Sequence, residues 1–152
     1  MSDPTRKELL EIYKLHAELA DRVSQRREGA NRIYVSLLVG LALFLGVFVR
    51  FGVKDFPMAI VFLAAGIIGA ALSISWFIVI RSYRQLNTGK FAALHELEEK
   101  LAYPFFKREW ELLDEGRKLS RYWKLTTVET GLPIIFLVLS MILIGISFSL
   151  AT

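Results

Sequence analysis

Polar and apolar positions along the chain alternate in two distinct ways. Between residues 9 and 23, Leu9, Ile12, Tyr13, His16, Leu19, Ala20 and Val23 recur every three or four positions. Glu8, Glu11, Lys14, Glu18 and Arg22 fill the opposite face, which predicts an amphipathic helix. Thr5-Arg-Lys-Glu8 ahead of it is a capping-box pattern. Periodicity then gives way to runs. Ile33 to Val49, Met58 to Ile80 and Leu132 to Leu150 hold 17, 23 and 19 residues without an Asp, Glu, Lys, Arg or His. A spanning helix needs about 20 apolar residues, with a range of roughly 17–25. All three runs therefore predict transmembrane helices, and the fold class is an all-α membrane protein.

Between the second and third runs the helical pattern persists. Residues 81–101 contain no proline and extend the second span as one helix over 58–101, with Leu94, Leu97 and Leu101 in a heptad-like seam reaching back through Asn87, Lys90 and Tyr83. Gly89 weakens that seam, and a helix shared between subunits suits it better than an isolated one. Pro104 stops the helix. A short helical stretch from Lys107 to Glu115 follows, with Phe105, Phe106, Trp110, Leu112 and Leu113 as apolar mass and Gly116 as its C-cap. Thr126-Thr-Val-Glu129 is a second capping-box pattern, although Pro133 leaves the start of the third span open.

Composition agrees with the runs: hydrophobic residues make up 54% of the 152 positions and mean hydropathy is +0.44. The net charge of +4 reads as topology. Lys and Arg number seven in 1–32, two in 50–57, ten in 81–131 and none in 151–152, so pairing the first and third segments gives 17 against 2. The positive-inside rule places those two segments in the cytoplasm. The expected order is a cytoplasmic 1–32, a first span entering as an uncleaved signal anchor, a short external turn 50–57, a cytoplasmic helical layer 81–131, and an external C-terminus.

The second span carries Ala65, Gly66, Gly69, Ala70 and Ser73, whose pairs at four-residue spacing allow backbones to approach closely in lipid. This strip predicts a helix–helix contact, within or between chains. Ser36/Gly40, Ala42/Gly46 and Gly145/Ser149 are weaker pairs of the same kind. Span hydroxyls at Ser36, Ser73, Ser75, Ser140, Ser147 and Ser149 are expected to bond back to their own helices. Tyr34 and Trp76 fit an interfacial aromatic belt.

Candidate chemistry is sparse. There is no cysteine, and the two histidines, His16 and His95, are far apart. No phosphate-binding loop, H-E-x-x-H or G-x-S-x-G occurs, and no ionisable group sits at membrane depth, which disfavours ion-coupled transport. Glu96, Glu98 and Glu99 beside His95 read as a solvated face balanced by Lys90 and Lys100. No catalytic residue, metal site or cofactor is expected. Residues 117–124, with Tyr122 and Trp123, could touch lipid headgroups. Nucleic acid is not an expected partner, because 81–131 balances ten bases against eight acids.

The stretch Arg81-Ser-Tyr83-Arg84-Gln-Leu-Asn87-Thr-Gly-Lys90-Phe91, then Leu94-His-Glu-Leu-Glu-Glu99, then Glu109-Trp110-Glu-Leu-Leu113 to Gly116 resembles the RipA-type octameric membrane proteins of bacteria. Tyr13 to Arg22 and Arg26 to Asn31 are similar too, so the likeness covers most of the chain. It implies a small inner-membrane protein assembled as a ring of eight, and brings no enzymatic residues. A looser likeness, in layout only, is to SLATT-type two-span effectors of bacterial antiviral systems, from which the third span departs. The expected function is a homo-oligomeric bundle or ring with a cytoplasmic helical crown, acting as a scaffold for an unidentified cytoplasmic partner. The alternative is an oligomeric pore that permeabilises the membrane.

Overall fold

The computed structural model describes residues 4–52, 57–101, 103–112 and 125–151, with side chains of 125–128 excepted. Among the described residues there are four helices: α1 (Arg6–Phe51), α2 (Met58–Glu98), α3 (Phe105–Leu112) and α4 (Leu125–Ala151). Three of them, α1, α2 and α4, are long and apolar enough to cross a membrane. The protein is an all-α membrane protein.

α1 starts where the capping pattern puts it. The Thr5 amide and hydroxyl donate to Glu8 Oε2 at 2.7 and 2.8 Å, and the Glu8 amide donates to Thr5 Oγ1 at 3.4 Å. These bonds hold the Glu8 carboxyl below its ordinary pKa and occupy two donors that a helix start otherwise leaves open.

α2 ends three residues earlier than the seam suggests. Beyond Glu98, the Lys100 and Leu101 amides bond three residues back, to Leu97 and Glu98, so Leu101 sits in a closing turn. Tightening of this kind at a helix end satisfies carbonyls that have no helical partner. α3 begins at Phe105, directly after Pro104, two residues before the expected Lys107. Proline suits such a start because its fixed φ is already helical and it has no amide to leave unpaired.

α4 is already helical at Leu125, so Thr126 lies inside its first turn, Glu129 follows that turn, and Thr126 is no N-cap. Pro133 sits within α4, fully buried. It removes the bond to the Glu129 carbonyl, a loss that neighbouring helices make tolerable in membrane helices. Residues 53–56 of the turn between the first two spans, together with Leu113 to Lys124, including Gly116, Tyr122 and Trp123, lie outside the described residues.

The chain forms two compact units. One comprises 1–28 and 81–128. There α1 buries Ala20 and Val23, and α2 buries Leu94 and Glu98. The other comprises 29–80 and 129–152 and holds the three charge-free runs. Its core is Leu38, Trp76 and Ile80, with Tyr34, Val35, Leu72 and Phe136 packed around them.

Candidate functional site

In the unit holding the apolar runs, the small-residue strip of α2 is used inside the chain. Ala65, Gly66, Gly69 and Ser73 are buried, and Ala70 is half-buried. A Cβ built on Gly66 would lie 2.6 Å from Ile144 Cγ1 and 2.9 Å from the Ser140 carbonyl oxygen. One on Gly69 would lie 2.5 Å from Ser140 Oγ. Glycine at both places lets α4 approach the α2 backbone, the contact that drives helix association where lipid is the solvent. Gly66→Ala should therefore weaken α2–α4 packing by about 1–3 kcal/mol, the usual cost of overpacking against backbone that cannot yield. Gly40→Ala should be near neutral, since a Cβ there meets nothing within 4 Å. Thermal unfolding of the two variants in one detergent compares them.

The glycines of the weaker pairs, Gly40, Gly46 and Gly145, all face open space within the chain.

Trp76 is not a belt residue. It is completely buried, stacked on Tyr34 with ring centroids 6.0 Å apart and planes at 7°, and it also packs on Phe136. Its indole N–H donates to Asn31 Oδ1 at 2.9 Å. Tyr34 Oη and Ser75 Oγ share a hydrogen bond of 2.8 Å across helices. Ser75 therefore does not bond back to its own helix, because the stacked tyrosine places a better partner opposite it. Ser73, Ser140 and Ser147 do bond back, to the carbonyls of Gly69, Phe136 and Ile144.

In the other unit, Glu98 overturns the expectation of a solvated face. Glu96 and Glu99 are exposed, but Glu98 is only 1% exposed. Its Oε1 accepts from Tyr13 Oη at 2.9 Å and from the Phe106 amide at 2.7 Å; its Oε2 accepts from the Lys107 amide at 3.2 Å. One carboxylate thus joins α1, α2 and the first turn of α3, where negative charge is also favoured by the helix dipole.

Aromatic rings close over this hub. Phe106 meets Tyr13 at 6.1 Å, Phe91 at 5.7 Å and Phe105 at 5.6 Å. Sequence reasoning missed the hub because Glu96, Glu98 and Glu99 look alike in a charged run. The available signal was phase: Glu98 falls four residues after Leu94, on the same stripe.

Burial raises the Tyr13 phenol to a pKa of about 12, with further upward pushes from its hydrogen bond to Glu98 and from that carboxylate's charge. A raised pKa means that the contact stabilises fully below the ordinary phenol value, near 10. It is lost as pH rises through the folded value. Tyrosinate absorbance should show a phenol titrating near pH 12, and Glu98→Gln should lower that value.

Of the remaining expected positions, Leu94 is fully buried and Leu97 and Leu101 are half-buried. Tyr83, Asn87 and Lys90 are half-buried, Arg81 and Arg84 are exposed, and Phe91 and Trp110 are largely open. In α1, Ile12 departs from the predicted inner stripe: it is exposed, as are Leu10 and Leu15.

No curated protein and no solved structure matches the chain. A family model does: that of the octameric membrane protein family (8xMP), over residues 10–149. The match spans α3 and nearly all of the three long helices, from the Tyr13–Glu98 hub to the Gly66–Ser140 contact, and the chain belongs to this octameric membrane protein family.

Proposed function

We propose that eight copies of this chain form a ring in the bacterial inner membrane and act as a non-enzymatic scaffold. The unit of 1–28 and 81–128 would form a cytoplasmic crown for a protein partner, with the C-terminus on the periplasmic side. Family membership supports the copy number, and the 17-to-2 distribution of Lys and Arg supports the orientation. The observation that carries the scaffold reading is Glu98. Its carboxylate is taken by three donors of its own chain and is only 1% exposed, so it ties helices together rather than facing solvent.

Native mass spectrometry from lipid nanodiscs should give eight copies, and planar bilayers containing the protein should stay silent. A monomer across mild lipid environments would overturn the ring. The open small-residue faces at Gly40, Gly46 and Gly145 favour a second reading, an oligomeric pore lined by them. Stepwise conductance in the same bilayers would select it over the scaffold.

A further inference from the structure

The unit of 1–28 and 81–128 has two unlike faces. α3 covers one of them, through Phe106 against Tyr13 of α1 and Phe91 of α2. A helix turns about 100° per residue, so Leu15 lies about 200° round α1 from Tyr13, and Leu86 lies about 220° round α2 from Phe91. Both point away from α3. Leu15 is 55% exposed, Leu86 48% and Ile12 39%. Apolar residues collected on one side and left exposed among the described residues mark an interaction surface.

The outer side of α3 is also apolar. Phe105 and Leu112, seven residues apart and so on one stripe, are 56% and 63% exposed.

We propose that the Phe105/Leu112 stripe of α3 in one protomer seats on the Ile12/Leu15/Leu86 face of the next. The occupant is a second copy, for three reasons. A cyclic ring needs a heterologous contact, in which two different faces on opposite sides of each protomer meet. This unit offers that pair. Second, the levels agree. Glu98 bonds both Tyr13 and the first turn of α3, so Phe105 and Ile12 lie at one height along α1. Rotation about an axis along α1 and α2 keeps that height. Third, charge agrees. Arg108, which pairs with exposed Glu111 of its own helix at 3.1 Å, lies one turn after Phe105, and exposed Glu11 lies one turn before Leu15, so a seated stripe would share Arg108 between the two carboxylates. The inference rests on the octameric reading and adds which surfaces build the ring.

The chain has no cysteine, so introduced pairs report without background. Full-length protein carrying Leu15→Cys and Phe105→Cys is oxidised in native membranes. The expected result is a ladder of covalent species from dimer to octamer, with neither single variant cross-linking. Ile12→Cys with Phe105→Cys probes the same contact if the first pair fails to insert. Native mass spectrometry of the reduced variants separates the two levels of the claim. Octamers without a ladder, or an intrachain link, overturn the docking and leave the ring intact. Dimers from Leu15→Cys alone mean like faces meet, and overturn it too. Absence of octamers overturns both.

Discussion

Glu98→Ala should free α3 while leaving the unit that holds the three apolar runs intact. The substitution strips the acceptor from three donors at once: the Tyr13 hydroxyl and the amides of Phe106 and Lys107. A hydrogen bond to a charged group contributes about 1.5–3 kcal/mol. Three at the lower figure approach 4–5 kcal/mol. Water can reach exposed Lys107 and return part of this, leaving a local loss of about 3 kcal/mol. An eight-residue helix cannot supply that itself, since isolated helices under about 12 residues are marginal. Backbone amide exchange in 105–112 should accelerate roughly 100-fold, while 60–80 keeps its protection. Glu98→Gln should fall between, because its amide retains one accepting oxygen but presents a donor where Glu98 Oε2 accepted. Unchanged exchange in 105–112 would show that aromatic packing on Phe106 alone holds α3.

The two halves of the fold differ in how far they could be read from sequence, for one physical reason. Lipid demands long uninterrupted apolar segments with internally bonded backbones, so Ile33 to Val49, Met58 to Ile80 and Leu132 to Leu150 were visible as spans. The close approach at Gly66 and Gly69 was legible too, because only small residues permit it; that its partner is α4 of the same chain was not.

In the other unit, charged and apolar residues intermix, and helical phase decides burial. Spacing put Ile12 on the inner stripe, yet it lies at the stripe's edge and is exposed; Glu98 was read with Glu96 and Glu99 as a solvated face, yet it is buried. Trp76 failed differently. Aromatic residues near span ends are normally belt residues, and nothing local announces that two of them stack on each other.

That stack predicts the second large effect, Trp76→Ala. Deleting a fully buried tryptophan typically costs about 3–5 kcal/mol, through lost contacts and the cavity left behind. Where lipid is the alternative solvent, the transfer component shrinks, because an apolar side chain loses little by facing acyl chains. The cavity component does not shrink: Tyr34, Phe136 and Leu38 lose the ring between them whatever surrounds the bundle. The Asn31 carbonyl oxygen also loses the indole N–H at 2.9 Å, and an orphaned acceptor costs about 1–3 kcal/mol more if water cannot reach it. Together these give about 3 kcal/mol. Trp76→Phe separates the components, since it keeps most of the ring and abolishes the donor. It should lose about 1 kcal/mol, and Asn31→Ala should cost Trp76→Phe nothing further. Thermal unfolding of the four variants in one lipid nanodisc composition measures this cycle. Equal losses for Trp76→Phe and Trp76→Ala would place the whole effect in the Asn31 hydrogen bond, and the stack would then be a consequence of the bundle rather than what holds it together.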